Sequence, residues 1–475
     1  MTGHRKQALI QVARGLRDVV RGQEPLTSVQ ARQLALAQER LHIDRGRALL
    51  DAGDPAGARA EADAIAGTRS TGKAAVALRE AASHAAPIRG RDGRRKLVPE
   101  DIAAAAELLR ARGVDRPVVL LYHQPSPDNP FGDLLYRQAF NSGLAPVPLY
   151  DLEDLDRLGE LVPDGVSVAL HLHWVNRVTL GAANATEAEN RAIAFANRLD
   201  RLVAGGVPIV WTAHNVLPHD TPFPAADILV RKAIVERASL IHLLARSTVE
   251  LAAPYYAIPF AKTVHAPLPS FRGAYPDVVD RGTARFRLGL DGDAFVVALV
   301  GGLRPHKGMG RLLDALDIAA EREPRITLLV AGAPSRSESS DAFLARAAVH
   351  PRVALHARMI PADDMQLYLR AADAAVLPYV VTLNSAVLMM ALAFDLPVVA
   401  PPVGGIAEVI DPEVAVTFTP DDAASLADAL IAVRDLPRER AVAAARRISA
   451  SHDADAVSGR LMTAIRAAVA SGSVA

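Results

Sequence analysis

The residues best suited to handling phosphate in this sequence lie in the turn Gly301-Gly302-Leu303-Arg304-Pro305-His306-Lys307-Gly308. The turn follows the apolar run Phe295–Val300 and precedes a helical pattern, an arrangement in which glycine lets the backbone approach an anion at a helix N-terminus. Arg304 supplies a rigid fork of donors and Lys307 a point charge, two ways of neutralising phosphoryl groups. Taken alone, the same letters also fit a glycine turn with two solvated cations.

A second candidate is Leu383-Asn384-Ser385-Ala386, which opens a helical stretch just ahead of the strand-like run 397–400. Asn384 or Ser385 suits a helix N-cap, and the free N–H groups beyond it make an anion site at the carboxyl edge of a sheet; an ordinary cap facing water has the same letters. A third glycine turn, Val403-Gly404-Gly405-Ile406-Ala407-Glu408, follows that strand.

Histidines gather at the ends of apolar runs: His123 after 117–122, His171 and His173 with Trp174 after 166–170, and His214 with Asn215 after 207–212. Successive strands thus deliver imidazoles to one sheet edge, where an imidazole can take a hydroxyl proton or hold a sugar oxygen. The coincidence favours His214 and His173 as catalytic candidates, although a single histidine at such a place is commonly a hydrogen-bonded structural residue. The proline-rich loop containing Asn129 follows the first of these strands and frames the same edge. No pair at helical spacing supports a zinc site, and no metal or other cofactor is expected.

The elements that must position these residues read as two series. Continuous apolar runs at 117–122, 166–172, 207–212 and 240–244 alternate with amphipathic segments, as in a parallel sheet buried on both faces. A second series runs through Phe295–Val300, 326–330, Val353–His356, 374–377 and 397–400. The Pro- and Gly-bearing segment 266–285 separates the two. After Leu436 the pattern is helical to the end, and residues 1–112 read as a helical N-terminal extension.

A chain of 475 residues exceeds the size of one ordinary core. Half of it is hydrophobic and 22% is charged, as in a globular protein. With no cysteine, disulfides, thiolate metal sites and cysteine nucleophiles are excluded. No apolar run reaches the roughly 20 residues of a membrane span, and the N-terminal residues do not form a signal peptide, so a cytoplasmic location is expected. The net charge of zero conceals 20 Lys and Arg against 13 Asp and Glu in residues 1–112. That surplus suits a solvated helical face, or peripheral contact with the inner face of an anionic membrane; no nucleic-acid partner is expected.

From about residue 117 to 449, these motifs together resemble the group 1, family-four-like glycosyltransferases of the GT-B fold. The resemblance implies an α/β protein with two Rossmann-like, doubly wound domains facing a cleft, beyond a helical N-terminal extension. The boundaries read as extension 1–112, acceptor-side domain 113–275, donor-side domain 276–440, and C-terminal helices 441–475 that close the second domain or pack back across the cleft. It further implies that Gly302, Arg304 and Lys307, helped by Asn384 and Ser385, hold the donor diphosphate. His214 would face the transferred sugar, Arg358, Met359 and Ile360 would lie on the nucleobase side, and Asn129, Asn215, Gly404, Gly405 and Glu408 would line the cleft. The family's paired glutamates are absent, since Thr382 and Met390 stand at those positions. The looser comparison is to exopolysaccharide and mannosyl transferases.

The implied activity is transfer of a hexose, with retention or inversion, from a nucleotide diphosphate sugar to a glycan or lipid-linked acceptor in polysaccharide biosynthesis. The missing glutamates motivate an alternative, a catalytically impaired nucleotide-sugar-binding or assembly protein.

Overall fold

The structure is a computed structural model that describes residues 96–123, 125, 129–218, 221–304, 307–335 and 337–472. The basic cluster Arg89, Arg91, Arg94 and Arg95, and most of the N-terminal extension, lie outside the described residues.

Six strands form the first sheet: β1 (Val118–His123), β2 (Leu144–Pro148), β3 (Ser167–Leu172), β4 (Ile209–Ala213), β5 (Leu240–Leu243) and β6 (Thr263–His265). Their order is β2-β1-β3-β4-β5-β6, with every pairing parallel. All five residues of β4 are buried, which is why its sequence is apolar apart from Thr212 rather than alternating. Sequence reading passed over β2 because it reads Leu-Ala-Pro-Val-Pro. An edge strand tolerates prolines, since one row of its backbone groups needs no ladder partner. The strand order reverses between β1 and β3, the switch point at which such sheets bind ligands beyond their carboxyl ends.

The helix Pro99–Arg110 belongs to this domain. Its Ile102, Ala106 and Leu109 are buried in the same core as Val119, Leu121 and Ala145. Burying side chains of this size contributes roughly 1.5–3 kcal/mol each for the larger ones. The first domain therefore begins before residue 113, where helical periodicity alone had placed its start.

The second sheet holds β7 (Phe295–Val300), β8 (Ile326–Ala331), β9 (Val353–His356), β10 (Ala374–Val376), β11 (Val398–Ala400) and β12 (Ala415–Thr417), in the order β12-β11-β10-β7-β8-β9. Counted from β7 this is the doubly wound order 3-2-1-4-5-6, and its switch point falls between β7 and β10. The two loops with the strongest sequence signals, after β7 and after β10, leave from that point. Met309–Arg322 and Ala423–Ala432 cover one face, with Leu312, Leu316, Leu426 and Leu430 in one core.

The last helix, Ala454–Gly472, returns to the first domain. Its Ser458 donates to the Leu135 carbonyl at 2.7 Å and accepts from the Gln138 N–H at 2.9 Å, while Arg466 reaches the carbonyls of Gly143 and Arg116. Leu461, Met462 and Ile465 are fully buried beneath it. Hydrophobic area supplies most of this attachment, and the hydrogen bonds set its register.

Candidate active site

The β7 exit turn is built by close approach. Gly301 has φ 93° and Gly308 φ 66°. A Cβ on Gly308 would stand 1.9 Å from the Pro378 carbonyl oxygen, so the turn rests directly on the chain leaving β10. Gly308 then starts the helix Met309–Arg322, whose N-terminus no side chain caps. Lys307 Nζ lies 5.7 Å from the centre of the Tyr379 ring, and Arg304 is exposed. Free helix N–H groups, a guanidinium and an ammonium thus collect beside one turn, a favourable setting for an anion.

Beyond β10, the Ser385 side chain accepts from the Leu388 N–H at 3.1 Å and caps the helix Ala386–Ala393. Asn384 Nδ2 donates to the His214 carbonyl at 2.9 Å, a bond between the two domains. Thr382 Oγ1 donates to the Asn384 carbonyl, and Met390 is buried in the core. Neither position supplies a carboxylate.

Gly404 (φ 49°) and Gly405 press against this same segment. Cβ atoms there would come within 2.1 Å of the Thr382 oxygen and 2.5 Å of the Leu383 oxygen. Glu408 accepts from the N–H groups of Arg246 and Ser247 at 2.9 Å each and from Ser247 Oγ at 2.8 Å. Burial would raise its carboxyl, but these donors outweigh burial and hold it below its ordinary value. Its carboxylate therefore fastens the second domain to the first.

In the first domain, the imidazoles at the strand ends touch one another. His173 Nδ1 lies 2.9 Å from His214 Nε2, and His173 Nε2 lies 2.6 Å from the Tyr136 hydroxyl. The same hydroxyl lies 2.8 Å from His171 Nδ1, and His171 Nε2 lies 2.8 Å from Thr212 Oγ1. Thr212 meets His242 Nδ1 at 2.9 Å, and His242 Nε2 meets the Ala266 carbonyl at 2.7 Å. Trp174 stacks on His214 at 4.1 Å, and Phe131 meets it edge-on at 5.3 Å. Asn129 accepts from the Phe131 N–H at 3.0 Å and so helps place that ring.

Burial makes these rings hard to protonate. Desolvation is the first cause in every case, and it pushes His173 down to about 3 and His242 to about 4. His171 and His214 also lie well below the ordinary histidine value, with neighbouring histidines as the second cause.

A cavity of about 520 Å³ lies between the domains, with His173, Trp174, His214 and Asn215 on one side and Arg304 and Lys307 on the other. The candidates from the β3, β4 and β7 exits therefore share one space. Arg358, Met359, Ile360, Gly302, Asn384, Ser385, Gly404, Gly405 and Glu408 do not line it. Arg358 and Met359 are exposed at the β9 exit, Ile360 is buried, and Asn384, Gly404, Gly405 and Glu408 shape the loops around the cavity.

Sequence reading missed a pair in the cavity wall, Asp227 and Arg231 on the helix Pro224–Arg237. Both are buried, at 3.6 Å from each other, and Asp227 also accepts from Thr179 and Thr221. Their signal was an acid and a base four residues apart, which ordinarily marks a solvated helix face.

The family comparison bears on the stretch that carries the glycine turn. Residues 294–435 match the family model described as glycosyl transferases, group 1. That stretch is similar to the group 1 glycosyltransferases. It is 32% identical over 257 residues to the D-inositol 3-phosphate glycosyltransferase of Saccharomonospora viridis, covering 50% of this chain and 59% of that protein. The protein of the same name from Actinosynnema mirum is 34% identical over 224 residues, which is 42% of this chain and 52% of the relative. The chain thus spans less than two thirds of the length of these relatives.

Among solved structures, sucrose-phosphate synthase from Thermosynechococcus elongatus superposes with a TM-score of 0.58 at 16% identity, over 75% of this chain and 100% of that one. Anabaena HepE in complex with UDP-glucose superposes with a TM-score of 0.53 at 18% identity, over 72% and 98%. Two parallel six-stranded sheets facing a cavity, together with these superpositions, make the fold of the two domains GT-B, as the sequence resemblance implied. Among the described residues, no helix is long and apolar enough to cross a membrane.

Proposed function

We propose that the protein is a glycosyltransferase that moves a hexosyl group from a nucleotide diphosphate sugar to a hydroxyl of a glycan or lipid-linked acceptor. One observation carries this reading: Arg304 and Lys307 face His214 across a single cavity between the domains. Two cations suit the diphosphate of the donor, and the imidazole stacked on Trp174 suits a hydroxyl of the sugar or acceptor. In the reaction, the acceptor oxygen bonds to the anomeric carbon as the bond from that carbon to the diphosphate oxygen breaks. The electron pair leaves on the diphosphate, and the acceptor proton passes to a base or to the departing phosphate. Arg304, Lys307 and the uncapped helix N-terminus would stabilise the charge that develops there.

In this reading Asn384 and the Ser385-capped helix support the donor site from behind its wall, with Arg358, Met359 and Ile360 toward the base. Nucleotide-sugar binding by HepE supports the donor class. The basic surplus of residues 1–112 supports contact with an anionic membrane surface. Loss of vesicle co-sedimentation on their deletion would test that part.

The deciding experiment incubates the full chain with a panel of UDP- and GDP-sugars and acceptors and follows nucleoside diphosphate release and glycoside formation. Release that depends on acceptor and falls strongly in Arg304→Ala is expected. No product from any donor, or unchanged turnover in Arg304→Ala, would defeat the assignment.

A further inference from the structure

We propose that the buried hydrogen-bond chain from Ala266 to His214 has one polarity, which holds His214 as the Nε2–H tautomer with its Nδ1 lone pair toward the cavity. Tyr136, His171, Thr212 and His242 are then positioning residues for His214.

The polarity follows from one group that can only accept, the carbonyl of Ala266. His242 Nε2, 2.7 Å away, must carry hydrogen. A neutral ring has one N–H, so His242 Nδ1 is bare and takes the only proton of Thr212 Oγ1 at 2.9 Å. Thr212 Oγ1 must then accept, and His171 Nε2 donates to it at 2.8 Å. His171 Nδ1 is left bare and accepts from the Tyr136 hydroxyl at 2.8 Å. The Tyr136 oxygen in turn accepts from His173 Nε2 at 2.6 Å. His173 Nδ1 accepts from His214 Nε2–H at 2.9 Å. Reversing any one bond would set two lone pairs or two hydrogens against each other in a buried site, where a lost partner is costly.

Each ring is neutral at pH 7 because burial disfavours its charged form, which is the condition the counting needs. Among the described residues, His214 Nδ1 is the one ring nitrogen along this chain without a protein partner. It is not among the occluded polar atoms, and His214 lines the cavity. A lone pair there accepts from a hydroxyl and repels an anionic oxygen. The cavity is thereby divided, with anionic oxygens on the Arg304 and Lys307 side and a hydroxyl against His214.

This inference deepens the transferase reading, but the tautomer can be observed without donor, acceptor or turnover. The test uses the full chain labelled with 15N-histidine and long-range 1H–15N correlation spectra, with the His214 signals assigned by their loss in His214→Gln. In the unmodified protein, Nδ1 should be of the non-protonated type and Nε2 of the protonated type. Tyr136→Phe removes the acceptor of His173 Nε2–H. His173 should then carry its hydrogen on Nδ1, and the two nitrogen types of His214 should exchange. Thr212→Val should shift His214 toward the exchanged form, while Thr212→Ser, which keeps the hydroxyl, should leave it unchanged. If Tyr136→Phe fails to fold by circular dichroism, the Thr212 pair decides. A protonated Nδ1 in the unmodified protein, or types unmoved in the folded variants that break the chain, overturns the inference.

Where turnover is measurable, Tyr136→Phe should lower kcat about 100-fold, the lower end of a general acid–base contribution, with donor KM little changed. Thr212→Ser should retain kcat. Absence of any turnover would defeat the transferase reading and leave the tautomer result standing.

Discussion

Asn384 Nδ2 donates to the carbonyl oxygen of His214 across 2.9 Å, so the loop after β10 in one domain holds the backbone of the cavity-facing histidine in the other. The His214 ring is already fixed by Trp174, Phe131 and His173. Its position relative to Arg304 and Lys307 is set by this bond together with the three that Glu408 accepts from Arg246 and Ser247.

Asn384→Ala should loosen that relation at a cost of about 1 kcal/mol, the size of one hydrogen bond. The expected outcome is a lower kcat with nucleoside diphosphate affinity changed only slightly, measured by turnover alongside calorimetry. A fall in affinity as large as that of Arg304→Ala would instead place Asn384 directly on the diphosphate.

Arg304 and Lys307 should each contribute as charged hydrogen-bond donors, about 1.5–3 kcal/mol. Arg304→Ala and Lys307→Met are thus expected to weaken nucleoside diphosphate binding about 10- to 100-fold, read by calorimetry. Arg304→Lys should recover only part of it, because the planar fork is lost. Full affinity in both neutral variants would remove the pair from the donor site.

Gly308→Ala forces a side chain into left-handed backbone and against the Pro378 carbonyl. A destabilisation above about 1 kcal/mol is expected, with the β7 turn displaced and donor binding lost before global unfolding. Thermal melting with and without nucleoside diphosphate checks this, since the ligand should raise the midpoint of the unmodified protein and not that of the variant.

Stability should fall on mild acidification. His171, His173, His214 and His242 stay neutral in the fold, His173 down to about 3 and His242 to about 4, whereas an unfolded histidine takes its proton near 6.5. Below that value the unfolded chain binds more protons, so the stabilisation is complete above 6.5 and is lost as pH drops toward the folded values. The slope approaches about 1.4 kcal/mol per pH unit for each histidine. Urea midpoints at pH 7.5 and pH 5 should differ clearly, and equal midpoints would contradict buried neutral rings.

Much of the scaffold was legible. Phe295–Val300 stands as a strand with the bounds its apolar run suggested, because a strand covered on both faces is largely apolar, and the half-buried edge strand Val353–His356 has its expected bounds too. The helix Pro99–Arg110 was legible as a helix but not as part of the first domain, since periodicity shows that an element has an apolar face and not which core receives it. Strands β6 (Thr-Val-His) and β12 (Ala-Val-Thr) lie at sheet edges and carry polar residues, so they did not stand out as apolar runs, unlike the equally short but fully buried β10 and β11.

The site was legible in part. His173, His214, Arg304 and Lys307 were found because they sit at the exits of readable strands. Tyr136, Thr212 and His242 were not, because an aromatic in a helix–loop segment, a threonine inside β4 and a histidine inside β5 are ordinary core and strand residues one at a time. The Asp227–Arg231 pair was hidden by the same ambiguity of i, i+4 spacing.

The sequence by itself determined that two parallel sheets would form, and that a glycine turn with two cations would leave the first strand of the second one. Apolar runs, glycine positions and strand order along the chain are local properties, and local properties are written residue by residue. Only the tertiary structure decided that this turn faces His214 across one cavity, and that a carbonyl at Ala266 sets the hydrogens of a histidine six bonds away. Those relations join residues from β3, β4 and β5 and the exits of β6 and β7, and their energies exist only once burial has removed the water that would otherwise satisfy each group separately.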